Sequence, residues 1–485
     1  MFVGLKRRLR VTDRPKLGVV SVRFYERPVR LRLPFRFGAV TLRKAQQVFV
    51  KARIHLQDGS EGVGQAAELL APKWFDKNPE LTNEENADQL RASLTVTRDL
   101  YRAVERPVTA FGLHTACEAD QYAECARRGL NGLIAGFGTA LIDRAVLDAL
   151  CRLLGLSVFE AVQKNLAGID SATAPDLDGF ALDAFFATLR PAATIEARHT
   201  VGLADAITET EIDAAERLGD GLPESLEAVM ATYGHRYFKL KVAGDLDADL
   251  DRLARIASVL DRLDAYYVTL DGNEQYTDGD AVLTLLQRMA ETPQLKRLTA
   301  SVLYVEQPIA RANALERPIH DVATVRPVVV DESDSDIGVF PRARALGYHG
   351  ISSKSCKGFY RAVLNRARVA AWNAEQPSAS FFLTAEDLTT LAGVSVQQDL
   401  ALATLVGCKH VERNGHHYVD GMAGAPVDEQ RRFLSAHPDI YRLADGRVRL
   451  AINDGRLEIG SLAAPGVGGG PVLDWSALSE ATFGS

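Results

Sequence analysis

Few cysteines and no long apolar run characterise this 485-residue chain. Cys117, Cys125, Cys151, Cys356 and Cys408 form no C-x-x-C pair and no zinc-ligand spacing, so neither a disulfide-stapled scaffold nor a zinc finger is expected. A reducing cytoplasm is the natural home for such a chain. Cys356 reads as a buried structural thiol, because no strand-end histidine is paired with it. Nowhere do about 18 apolar residues follow one another, which excludes a membrane-spanning helix. The one basic cluster, Lys6-Arg7-Arg8-Leu9-Arg10, lacks the apolar core that a signal peptide needs and reads as a solvated tail. With 56 basic and 63 acidic residues interspersed and a net charge of −7, no nucleic-acid face is expected. Low-complexity tracts and sequence repeats of about 20 to 50 residues are also missing.

What is present is an ordered set of charged residues. Lys239 and Lys241 in YFKLK, Asp271 in LDGN, Glu306 in YVEQP, Asp331 in VVVDES and Lys354 in ISSKSCKG each belong to the end of a short apolar run. Buried parallel strands read this way when they end at a functional face. Successive members lie roughly one βαβ step apart, about 30 residues. The first gap predicts a helix: Leu246, Leu250, Leu253, Ile256, Leu260 and Leu263 recur at helical spacing behind Asp245, a natural N-cap.

Three carboxylates facing one cavity repel each other unless a cation lies between them, and an all-oxygen donor set favours a hard ion, Mg²⁺ or alternatively Mn²⁺. Such an ion keeps coordination positions open for a substrate carboxylate and stabilises the enediolate left when the adjacent carbon loses its proton. A lysine takes that proton only when neutral, and a second ammonium nearby favours the neutral form, as Lys239 beside Lys241 provides.

The order Lys-x-Lys, Asp-x-Asn, Glu-Gln-Pro, Asp-Glu, Lys resembles the enolase superfamily, in its muconate lactonising enzyme and dipeptide epimerase branch. The resemblance implies an α/β fold, a modified TIM (β/α)7β-type barrel with an α+β N-terminal capping domain completed by the C-terminus. It implies Lys241 and Lys354 as the acid/base pair, Lys239 as an electrostatic helper, Asp271, Glu306 and Asp331 as Mg²⁺ ligands, and Asn273 as an orienting residue. Phe35 and Phe37, in Pro34-Phe35-Arg36-Phe37-Gly38, resemble the family's mobile loop that closes the site and selects substrate. His199, Glu332 and Glu386 are further candidates for touching or orienting substrate. Glu386 and Asp387 have a second reading, as caps of the following helix.

Departures from the family pattern are visible. The stretch between Asp271 and Glu306 is long, which predicts an insertion around Gln294 to Leu298. SCKGFY replaces the more usual Gly-Gly pair, leaving Lys357 as a rival to Lys354, which is preferred as the strand-end residue. FFLTAEDL carries no histidine, unlike the seventh strand of the mandelate racemase branch. His410, His416 and His417 show no familiar ligand pattern, and no zinc site is expected from them.

The expected organisation is a cap over residues 1–160, a linker or insertion over 161–193, a barrel with its metal site over 194–420, and a segment returning to the cap over 421–485. The expected activity is Mg²⁺-dependent removal of the proton α to a carboxylate, followed by epimerisation or racemisation, β-elimination or cycloisomerisation of a small carboxylic acid. A Schiff-base lysine barrel of aldolase type and a non-catalytic binding protein on the same scaffold are the alternatives. The expected partners are a small carboxylate and further copies of the chain in a homo-oligomer.

Overall fold

The computed structural model describes residues 14–37, 40–377 and 380–483, so the Lys6 to Arg10 cluster lies outside the described residues. Alternating apolar positions in the first segment build an antiparallel sheet from β1 (Leu17–Phe37), β2 (Val40–Leu56) and β3 (Glu61–Leu70). Asp58 turns the chain from β2 into β3, its carboxylate accepting from Ser60 N at 2.9 Å. Val48, Val50, Ala52 and Ile54 share one face of β2 and are buried.

Three helices pack beside that sheet: α1 (Asn83–Ala103), α2 (Ala110–Arg127) and α3 (Gly132–Leu154). α1 starts at a capping box in which Thr82 and Glu85 satisfy each other's backbone amides. α3 is buried on nearly every side, Arg144 and Asp148 included, because it runs between the sheet and the second domain. Gly64 of β3 allows that approach, since a Cβ there would stand 2.1 Å from Ala145 O on α3.

The stretch expected as a linker is packed rather than loose. Ile169, Leu177 and Phe186 join the core that cap and barrel share, and Asp176 accepts from the buried Arg368 at 2.6 and 2.8 Å.

Eight parallel strands follow: β4 (Thr194–Val201), β5 (Tyr237–Lys241), β6 (Tyr267–Asp271), β7 (Val302–Glu306), β8 (Val328–Val330), β9 (Gly350–Ser353), β10 (Phe382–Ala385) and β11 (His410–Arg413). Pairing of β11 with β4 closes them into a barrel. Helices separate them, among them the expected Leu246–Leu260, whose N-cap Asp245 accepts from Ala248 N at 3.1 Å. Its Leu253, Ile256 and Leu260 are buried, each stabilising the fold by about 1.5–3 kcal/mol. Between β6 and β7, the long interval holds a helix at Gly279–Glu291, a turn at Pro293–Leu295 and a second helix at Lys296–Ser301. After β11 come a four-residue helix, Gly415–Tyr418, and a longer one, Val427–Ala436.

The chain then returns. β12 (Tyr441–Ala444) and β13 (Arg447–Leu450) form a hairpin, β14 (Arg456–Glu458) pairs with β4, and β15 (Ser479–Ala481) adds to β1 in the cap sheet. Among the described residues no helix is long and apolar enough to cross a membrane. All five cysteines are buried and unpaired.

Candidate active site

Barrel interiors are ordinarily filled by branched apolar side chains. This one is filled by charge. Lys239 Nζ, from β5, lies 2.9 Å from Asp271, 2.8 Å from Glu306, 2.9 Å from Glu386 and 2.9 Å from Glu412, so one ammonium meets carboxylates from β6, β7, β11 and the end of β10. Burial opposes its charge, yet those four carboxylates outweigh burial and hold Lys239 protonated well above the usual range.

Lys241, one alternation further along β5, donates to Asp271 Oδ2 at 2.5 Å. Burial disfavours the ionised form of Asp271, but Lys239 and Lys241 together keep its carboxyl below the usual range. Lys354 donates to Asp331 Oδ2 at 2.6 Å, and Lys357 bonds Asp331 O at 2.8 Å and Ser352 Oγ at 2.7 Å. Lys354 lines the cavity; Lys357 sits behind Asp331 and is not among the lining residues. The geometry therefore separates the two rival lysines.

Glu306 differs from its neighbours. Burial first, then the carboxylates of Asp271 and Glu386, push it well above the usual range against the pull of Lys239, and its Oε2 has no hydrogen-bond partner. Glu332 Oε2 is also buried and unpartnered, while Asn273 Nδ2 donates to Glu332 Oε1 at 3.0 Å.

Two sequence motifs acquire physical reasons here. In Glu-Gln-Pro, Gln307 carries φ of 31°, and its amide oxygen accepts from Asp331 N at 2.9 Å and Ser333 N at 3.1 Å, locking the end of β7 to the end of β8. In Asp-Gly-Asn, a Cβ on Gly272 would stand 2.6 Å from Pro308 Cα, so only glycine lets the two strand ends meet.

The cap closes the mouth. Phe35, Leu42, Ala71 and Trp74 line the cavity together with Lys239, Lys241, Asp271, Asn273, Lys354 and Glu412. Phe35 packs on Tyr418 with ring centres 4.3 Å apart, and Arg32 bonds Asp220 of the barrel at 2.6 Å. The side chain of Phe37 lies outside the described residues.

Two expected placements need correction. His199 does not point into the mouth: Arg198 and Thr200 flank it in β4 and reach Glu386 and Glu412 in the lumen, so period-two alternation turns His199 outward. Glu386 lies beneath the cavity, held by Lys239, Arg198 at 2.5 Å and Tyr304 OH at 2.9 Å, so it orients Lys239 rather than lining the cavity. Asp387 lines the cavity and accepts from Thr390 N at 2.7 Å and Asn414 N at 2.9 Å, tying together the loops after β10 and β11; the following helix, Val394–Leu405, starts at Gly393 without a side-chain cap, so the capping reading does not hold.

Glu412, Trp74 and Leu42 were not expected from sequence. His410 and Glu412 share the inward parity of HVER, and Trp74 is one of only three tryptophans; these were the available signals.

A closed parallel barrel under an α+β cap, with lysines and acids gathered at the strand ends, has the fold of the enolase superfamily. The chain is similar over 96% of its length to a Bradyrhizobium enolase complexed with magnesium and mandelic acid, at 16% identity, TM-score 0.58 and 99% coverage of that protein. It is similar over 93% of its length to the Enterococcus faecalis dipeptide epimerase complexed with Mg and L-Leu-L-Tyr, at 14% identity, TM-score 0.58 and 99% coverage. It is similar over 94% of its length to a Pseudomonas fluorescens muconate lactonizing enzyme complexed with muconolactone, at 18% identity, TM-score 0.55 and 97% coverage. The sequence matches no protein-family model and no curated protein.

Proposed function

We propose that this chain is a Mg²⁺-dependent enzyme that removes the proton α to the carboxylate of a small organic acid. One observation carries the reading: β5 and β9 are the second and sixth of eight barrel strands, so Lys241 and Lys354 stand on opposite sides of the lumen. Asp271, Glu306 and Asp331 belong to the three strand ends between them.

The acids fit a hard dication. Every donor is oxygen, Glu306 Oε2 is buried without a partner, and burial together with the neighbouring carboxylates disfavours the ionised form of Glu306, which a cation would offset. Asp271, Glu306 and Asp331 would hold Mg²⁺, or Mn²⁺ in its place, with Asn273 and Glu332 alongside. When bound, the cation polarises the substrate carboxylate and stabilises the negative charge that grows as the α-proton leaves.

The remaining work belongs to the chain. Lys241 Nζ or Lys354 Nζ takes the proton from one face of the substrate, and the other lysine stands at the opposite face. Lys239 balances the four carboxylates around it and exchanges no proton with substrate. Phe35, Leu42, Trp74 and Leu388 exclude water from the lysines. About 30 Å³ of the cavity is free, so substrate entry requires the tip of the β1–β2 hairpin, which carries Phe35 and Leu42, to lift. Reprotonation from the opposite face gives epimerisation or racemisation; loss of a β-leaving group gives elimination; ring closure or opening gives cycloisomerisation.

Mandelic acid, a dipeptide and muconolactone, the ligands of the similar structures, all carry a carboxyl group, which supports that substrate class. Buried, unpaired cysteines fit a cytoplasmic setting. The test is deuterium wash-in from D₂O, read by mass spectrometry over amino acids, dipeptides, hydroxy acids and sugar acids. Mg²⁺-dependent exchange at one α-carbon, abolished by EDTA, is expected. Metal-independent turnover with borohydride trapping on Lys241 or Lys354 would replace this reading with Schiff-base chemistry.

A further inference from the structure

On the outer side of β4, away from the lysines and acids, four histidines meet. The ring of His199 stands 5.4 Å from that of His235, 5.5 Å from His416 and 5.0 Å from His417, centre to centre. All four are buried. His235 precedes β5, and His416 and His417 belong to the short helix after β11, so the cluster straddles the seam where β11 closes on β4.

Their ring nitrogens are the unusual feature. A neutral imidazole has one N–H and one lone pair, and both want partners when buried. Here His199 Nδ1, His235 Nε2, both nitrogens of His416 and His417 Nδ1 are buried with no hydrogen-bond partner. His235 shows how the set is aimed. Its Nδ1 bonds Ala197 O at 2.9 Å, which fixes the proton on Nδ1 and leaves the Nε2 lone pair free. Metal-binding histidines are commonly anchored in this way, through the remote nitrogen on a backbone carbonyl.

One nitrogen each from His199, His235 and His416 lies within 4.8 Å of the other two, and this is the one such ligand group found among the described residues. In a tetrahedral site with metal–nitrogen bonds of about 2.0–2.1 Å, donors stand about 3.3 Å apart, a contraction that ring rotation supplies.

We infer that His199, His235 and His416 form a second metal site, for a borderline transition-metal ion such as Zn²⁺, that staples the seam of the barrel. Imidazole nitrogen suits such ions and not Mg²⁺, which selects oxygen. All four rings are buried, which disfavours their charged form. Arg413 lies near His416, and Arg32 and Asp220 lie near His417. His417, with its own unpartnered Nδ1, flanks the fourth position. The short His416-His417 spacing gave no ligand pattern in sequence because the other two ligands lie far upstream and arrive only through barrel closure. This site stands independently of the α-proton chemistry.

The test is Co²⁺ titration of the full chain, stripped by chelator and held in excess Mg²⁺ so that oxygen sites are filled. The expected result is one equivalent of tightly bound Co²⁺ with the intense visible bands of tetrahedral nitrogen coordination, displaced by Zn²⁺. His235→Gln and His416→Gln should each abolish the bands, while His410→Gln, whose ring pairs with Arg198, should keep them. Absence of tetrahedral bands in the wild-type chain, or bands that survive both substitutions, would leave the cluster as packed neutral rings and overturn the inference.

Discussion

Lys354 places its ammonium 4.3 Å from the centre of the Trp74 ring, so a barrel strand end and a cap loop meet directly over the acids. The cap is therefore part of the site's electrostatics as well as its cover. Its core is continuous with one half of the barrel, and Ser355, next to Lys354, donates to the buried Glu68 of β3 at 3.1 Å.

Removing the ring should be felt in the chemistry. A desolvated cation–π contact is worth up to about 2 kcal/mol, so Trp74→Ala is expected to slow α-proton exchange by up to about thirtyfold. Trp74→Phe should retain most of the rate. Equal rates in Trp74→Ala and the native chain, with unchanged circular dichroism, would remove Trp74 from the site.

Lys239 and Lys241 should part company in stability. Lys239→Met strips four buried carboxylates of their shared counter-charge, at a cost of about 3–5 kcal/mol. Lys241→Met leaves Asp271 still paired with Lys239 at 2.9 Å, so it should cost much less while abolishing exchange of one enantiomer. Urea unfolding of the two variants checks this; equal destabilisation would contradict the division of labour.

Much of this arrangement is legible in the sequence, for a definite reason. Lys241, Asp271, Glu306, Asp331 and Lys354 each end or follow a strand-like apolar run, so charge appears where hydrophobicity stops. Glu412 was not legible, because β11 is a short strand, HVER, without an apolar run, and its relation to Lys239 exists only once β11 pairs with β4. His199 was misplaced because strand parity, not position near a strand end, decides which face a side chain takes. Residues 166–193 looked irregular since their apolar residues follow no single period, yet Ile169, Leu177 and Phe186 fill the shared core.

Gly272→Ala should damage the site without touching a charged residue. The new Cβ meets the Pro308 backbone at 2.6 Å, forcing the ends of β6 and β7 apart. A loss of about 1–3 kcal/mol in urea unfolding and weaker Mg²⁺ binding by calorimetry are expected. Unchanged Mg²⁺ affinity would mean that this close approach does not position the acids.

The cap should carry a pH signature of its own. His114 on α2 holds Asp143 on α3 at 2.8 Å; burial opposes its protonation, but Asp143 and then Glu118 outweigh that and raise its pKa to about 10. A histidine raised above its unfolded value of about 6.5 adds stability that is complete below pH 6.5 and is lost as pH climbs toward 10. The stability difference between the native chain and His114→Gln should therefore be about 2–3 kcal/mol at pH 6 and shrink steadily above pH 6.5. A difference independent of pH would contradict the charged pair.

The central claim is that opposed lysines serve opposite faces of one α-carbon. The direct measurement is deuterium incorporation into each enantiomer of the substrate that shows wash-in, with Mg²⁺, in the Lys241→Ala and Lys354→Ala chains. The account expects one variant to lose exchange of one enantiomer and the second variant to lose exchange of the other, with Mg²⁺ affinity of both within about threefold of the native chain. Exchange of either enantiomer at the native rate in the double variant would contradict it.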